Sequence, residues 1–379
     1  MTWSLMVDGN SVQNGVMSDW RCAPQKKLQV TLPYDLSGIP AGKEVMLNVN
    51  FYEKKASPLI PAGYSVASNQ LVINDYQPKA LVLDNPNNVQ MPTIDNSGKH
   101  LIVKGDNFQI DFCKVRGWIV EYQSNGQQLL ANNAALAPNF WRAPTDNDFG
   151  ANLQKRMRVW HDVKPVMTDQ KAEVVGDYVV VTTKHDLKEI EGSMTMTYTI
   201  SKTGQVKVNE KMTVGKKDLM GMFRYGMKVQ LPKTFQTVKY WGRGPVENYI
   251  DRKGAAFVGR YTQTVDEQAS LDYVRPQEMG NKTDLREWQV SNGSFGLNFT
   301  SDQLFSASAL NYTIESLDEG LAKDNGHTEL VPKADFVTVC IDQAQWGVGG
   351  VDSWGALPLE QHQLKAGDKE FTFMITPAK

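Results

Sequence analysis

Three segments of the chain carry residues able to do chemistry. In NFWRAPTDNDFGAN (139–152) Asp146 and Asp148 flank Asn147, with Arg142 close by and Pro144 stiffening the loop. Two carboxylates at i, i+2 can ligate a hard cation or work as acid and base. No acidic residue stands twelve positions after Asp146, so the spacing is wrong for a calcium loop. The plainer reading has these residues capping backbone amides and pairing with Arg142. In YWGRGPVENYIDRKG (240–254) position 247 is Glu, so Gly242 and Gly244 do not open a phosphate-cradling GxGxxG turn. Glu247 and Asp251 beside Arg243 and Arg252 read as a polar network fixing a loop. In QWGVGGVDSWGALP (345–358) two tryptophans and four glycines crowd together. Glycine is costly inside helix or strand, so an irregular loop is expected there, holding an indole near the surface. Such an indole suits the apolar face of a sugar; a buried core Trp is the alternative.

Other reactive patterns are missing from the sequence. There is no GxSxG, HExxH or SxxK, and the five histidines have no paired spacing. Cys22, Cys113 and Cys340 lie far apart with no CxxC, which argues against a zinc ribbon or redox motif. Formal net charge is −2, from 40 basic and 42 acidic residues without blocks of either sign. That balance gives no footprint for nucleic acid or an anionic membrane. No run of 18 apolar residues spans a bilayer, and the first residues, already strand-like, do not read as a signal peptide. A chain that opens inside a strand suggests that sequence precedes it.

Positioning falls to strands. Alternation of period two runs through 28–33, 44–53, 101–105, 108–113, 117–123, 177–186, 193–200, 205–214, 227–232, 295–300, 335–343 and 370–377. Helical spacing is confined to 151–162 and 313–322. The expected architecture is all-β and antiparallel. A Pro- and Asn-rich stretch, 76–98, separates a small sandwich (1–80) from a large one (98–379), with 81–97 as linker.

FWRAPTDNDFG, RPQEMGNKTDLREW, WGRGPVENYIDR and GVGGVDSWGALP together resemble the C-terminal domain of glycoside hydrolase family 2 β-galactosidases, over roughly residues 98–379. Residues 1–80, with LMVDGNSVQNGVM, are similar to the sandwich that precedes that domain. The resemblance implies a small immunoglobulin-like sandwich followed by a large galactose-mutarotase-like super-sandwich. It implies a C-terminal, non-catalytic part of a retaining β-galactosidase that cleaves terminal β-D-galactose from lactose-type substrates. The two catalytic glutamates would sit on a (β/α)₈ barrel elsewhere in the full-length chain, leaving no catalytic residue here. Trp354 matches a tryptophan that stacks on bound sugar at the barrel's mouth, and Gly150 the start of a mobile loop beside it. Trp354, Asp352 and Gly150 are thus the expected substrate-binding residues, and Asp352 and Ser353 would brace the turn that carries the indole. Arg142, Asp146, Asn147 and Asp148 would support the loop.

Gly150–Trp160 is expected to be loosely held. No cofactor or metal is assigned to these residues, since Mg or Na would be held mainly by other domains. Expected partners are a β-galactoside or oligosaccharide, the barrel of the same chain and, for the whole protein, a second copy of itself. No nucleic acid or membrane is expected. Cytoplasm and periplasm both stay open. Two other readings compete: a stand-alone carbohydrate-binding module, and an aldose epimerase using His161, His327 or Glu247.

Overall fold

The computed structural model describes residues 1–324, 326–352 and 354–378. It is all-β with antiparallel sheets, and divides into two compact units, 1–78 with 257–260 and the remainder.

The small unit is one four-stranded sheet, ordered Asn10–Val16, Thr2–Val7, Val45–Tyr52, Ser65–Asn74. Asp8 (φ 47°) and Gly9 (φ 78°) close its first hairpin with the left-handed pair that a two-residue turn requires. Trp3, Leu5, Val45 and Leu47 form its core, and Leu32, Tyr34 and Ile39 pack against them from irregular chain. Residues 28–33, expected as a strand, are irregular: Pro33 cannot donate to a ladder, and Leu28 and Val30 are exposed.

In the large unit, a nine-stranded sheet runs in the order Val166–Val175, Tyr178–Leu187, Gly192–Ile200, Val206–Thr213, Lys369–Ala378, Gly296–Ser301, Glu287–Ser291, Thr237–Gly244, Phe257–Thr264. Alternation builds it: Met194, Met196, Tyr198 and Ile200 point inward from one strand, all fully buried. A five-stranded sheet is ordered Ala137–Asn139, Arg224–Pro232, Phe336–Gln345, Phe305–Leu310, Lys282–Leu285. Another five-stranded sheet, Thr93–Asp95 to Gln127–Gln128, follows chain order. The inward faces of all three meet in one hydrophobic cluster.

Helix is scarce. The stretch expected as one helix over 151–162 is broken into Leu153–Arg156 and Val159–Asp162, because Asn152 takes φ 56° and Val159 restarts the turn. Its apolar face is nonetheless used. Leu153, Met157 and Trp160 are buried and Trp160 Nε1 donates to the Gly221 carbonyl, so Gly150–Trp160 is packed rather than loosely held. The second expected helix is reduced to Ile314–Leu317.

Candidate functional site

The five-stranded sheet brings two of the singled-out segments to one place. Ala137–Asn139 and Phe336–Gln345 both pair antiparallel with Arg224–Pro232, so they run in the same direction. Asn139 and Asp342 both lie opposite Gly226. The chains leaving these strands, 140–152 and 346–356, therefore emerge at the same end.

Arg142 ties them together. Its guanidinium, fully buried, donates from Nε and Nη2 to the two oxygens of Asp148 at 3.1 and 2.8 Å. Nη1 donates to the Trp346 carbonyl at 2.5 Å and Nη2 to that of Gly347 at 3.1 Å. The fork thus spends its donors on one carboxylate and two carbonyls 204 and 205 residues away. Asp148 is fixed from the other side. Its Oδ2 accepts from Thr145 N at 2.8 Å, and Thr145 Oγ1 accepts from Asp148 N at 3.2 Å, a capping box that starts the turn Asp146–Gly150.

Asp146 faces elsewhere, pairing with Lys323 at 2.9 Å and Arg275 at 3.4 Å. Asn147 Nδ2 donates to the Val348 carbonyl at 2.9 Å. Asp148 is therefore Arg142's partner, while Asp146 belongs to a separate, more exposed set.

The Gly-rich segment is held equally closely. Asp251 accepts from Val348 N at 3.1 Å and Gly349 N at 2.8 Å. A Cβ on Gly347 would stand 2.5 Å from Asp251 Oδ2, so only glycine fits there. Gly355 takes φ 132°, and a Cβ on it would stand 3.2 Å from the Gly150 carbonyl oxygen. Gly150 and the residue after Trp354 are thus neighbours. Asp352 Oδ1 accepts from Trp354 N at 2.9 Å and Ala356 N at 3.3 Å, a turn closed by its own side chain. Ser353 lies outside the described residues.

The two tryptophans part company: Trp346 is 0% exposed and Trp354 is 90% exposed. Val351, on the same loop, is 89% exposed.

Glu247, weighed as an epimerase base, is consumed by structure. It accepts from Arg252, the Tyr273 hydroxyl, Ser270 Oγ at 2.8 Å and Gly280 N at 2.8 Å. Burial works against the charge on Arg252, yet the Tyr273 hydroxyl and Glu247 together hold its pKa above the usual range. His161 instead bonds its neighbour Asp162 at 2.7 Å. Among the described residues no three His, Cys, Asp or Glu side chains converge as a metal site would.

Residues that sequence reasoning passed over complete the scaffold. Thr145 was legible as a cap three residues before an acidic side chain. Gln277, Glu278 and Tyr249 had no local signal; they arrive through long-range contacts such as Glu278 N to the Ala143 carbonyl at 3.0 Å.

Two family models match this chain. The model of the β-galactosidase small chain covers residues 104–375, and that of β-galactosidase domain 4 covers residues 1–74. The chain belongs to the β-galactosidase small chain family.

Among curated relatives it is similar to the β-galactosidase of Priestia megaterium, 32% identical over 388 residues. That alignment spans 99% of this chain and 35% of that protein. The β-galactosidase of Lactobacillus delbrueckii subsp. bulgaricus is 30% identical over 362 residues, spanning 93% of this chain and 34% of that one. This chain spans about a third of the length of these relatives. Galactose 1-epimerase from Lactobacillus acidophilus NCFM overlays at TM-score 0.43 with 8% identity, over 74% of this chain and 94% of that one.

Proposed function

We propose that this chain is the non-catalytic C-terminal part of a retaining glycoside hydrolase family 2 β-galactosidase, and that it completes the substrate pocket with Trp354. The observation that carries this reading is the 90% exposed indole on a loop whose backbone is fixed on both flanks, by Asp352 and by Asp251. The relatives named β-galactosidase supply the chemistry of the ligand. A sugar offers a patch of slightly positive C–H groups, complementary to the negative face of an indole. Holding the ring out in advance spares the ligand the entropy of ordering it.

In the full-length enzyme, Trp354→Ala is expected to raise KM for lactose several-fold. Stacking beyond area burial contributes roughly 0.5–1.5 kcal/mol, a factor of about 2 to 12 in affinity. Labelling of the catalytic glutamates by a covalent glycosyl inhibitor should be unaffected. Unchanged KM and unchanged acceptor binding by glucose would remove Trp354 from the sugar's path. The 379-residue chain alone is expected to give no turnover of nitrophenyl β-galactoside. Rates on the order of 1–10³ s⁻¹ would mean that this chain has chemistry of its own.

A further inference from the structure

Between Thr145–Asn147, Tyr249, Gln277–Glu278 and Val348 lies a cleft of about 200 Å³. That is room for several waters or for one small ring rather than a chain of them.

Its carboxylates are already compensated from behind. Asp146 is paired with Lys323 and Arg275, and Glu278 accepts from Arg224 Nη2 at 3.1 Å. Arg252 adds a further cation to the lining. The cleft is therefore not short of positive charge, and a bound cation would find each carboxylate taken.

What remains is hydrogen-bonding capacity. The hydroxyl of Tyr249, a residue 1% exposed, has no hydrogen-bond partner among the described residues. Buried hydroxyls are seldom left in that state. Gln277 Nε2 is held only by long bonds, 3.3 Å to Asp146 Oδ2 and 3.4 Å to the Arg275 carbonyl, which a ligand can replace. The lining brings together residues able to donate, Tyr249 and Gln277, and residues able to accept, Asp146 and Glu278, with Val348 as an apolar neighbour. Closely spaced hydroxyls, each both donor and acceptor, are the complement of such a wall.

We propose that this cleft is a carbohydrate subsite that takes one neutral pyranose ring by hydrogen bonding, separate from the Trp354 indole. It rests on the reading of this chain as sugar-handling and adds a second point of contact to it.

The test is saturation-transfer NMR and calorimetry on the 379-residue chain with D-galactose and D-glucose, and separately with NaCl and KCl. Saturable binding of a monosaccharide is expected. Tyr249→Phe should weaken it about 2- to 10-fold, the effect of one hydrogen bond, without lowering Tm. Gln277→Ala should weaken it similarly, and Trp354→Ala should leave it unchanged. Absence of saturable sugar binding overturns the proposal, as does binding of Na⁺ or K⁺ in place of sugar. Binding lost in Trp354→Ala but kept in Tyr249→Phe and Gln277→Ala overturns this subsite while leaving the Trp354 platform standing. A Tyr249→Phe chain that melts lower with unchanged affinity shows the hydroxyl to be structural, and also overturns it.

Discussion

Arg142→Met is expected to destabilise the large unit by about 3–5 kcal/mol, the cost of leaving one member of a buried ion pair without its partner. Arg142 and Asp148 are almost wholly excluded from solvent, with side chains 0% and 3% exposed. Without the guanidinium, the Asp148 carboxylate keeps only the Thr145 amide, and the Trp346 and Gly347 carbonyls lose their donor. Arg142→Lys should restore little, since an ammonium cannot fork across one carboxylate and two carbonyls together. Arg142→Met combined with Asp148→Leu should cost less than Arg142→Met alone, because both buried charges then disappear. Urea unfolding followed by tryptophan fluorescence measures each step. A single-variant cost under about 1 kcal/mol, typical of exposed pairs, would show that water reaches this pair and that it does not anchor the Gly-rich loop.

That pair also marks where the sequence stops being informative. Asp146 and Asp148 look equivalent in TDNDFG, but at about 100° per residue two positions along a helical turn place them on nearly opposite sides. One therefore meets Arg142 and the other Lys323 and Arg275, partners up to 177 residues away that no spacing reveals. Strands were legible where one face is buried and the other wet, as in Ser193–Ile200. Phe305–Leu310 was not: FSASAL alternates serine with apolar residues over its first five positions, but they are mostly small, and all six residues are buried, so the pattern marks no wet face. Ser65–Asn74 and Val166–Val175 were missed for the opposite reason: each lies at the edge of its sheet, mostly exposed and only half apolar. The irregular Gly-rich loop could be read directly, because glycine density excludes regular structure. Which of its two tryptophans projects could not be read from composition; Trp346 follows directly from a buried strand and stays inside. Tyr249 gave no signal because its significance is an unmade bond, visible only once its surroundings are known.

Stability of the large unit is expected to fall as pH rises, and Glu210 and Asp342 are the cause. Both are fully buried, on strands Val206–Thr213 and Phe336–Gln345 of two different sheets. Neither oxygen of Glu210 has a hydrogen-bond partner among the described residues. Burial, reinforced by the nearby Asp342, raises the Glu210 pKa well above the ordinary carboxyl range. Burial likewise pushes Asp342 up to about 7; Arg224, at 3.3 Å, opposes that shift and Glu278 adds to it.

In the unfolded chain both groups titrate near 4. Over the interval from about 4 to their folded values the native state therefore binds more protons than the unfolded state. The stability they allow is complete below the unfolded pKa and is lost as pH climbs towards the folded one, at about 1.4 kcal/mol per pH unit for each proton held. For Asp342 the loss runs from about 4 to about 7. Glu210→Gln keeps the shape and cannot ionise, so it should remove one proton's share of the slope and gain stability over the parent steadily as pH rises. Urea unfolding at pH 5, 6, 7 and 8 tests this directly. Parallel pH profiles for parent and variant would mean that Glu210 is already ionised inside the fold, sustained by a cation or by water. In that case the variant should instead lose stability at every pH.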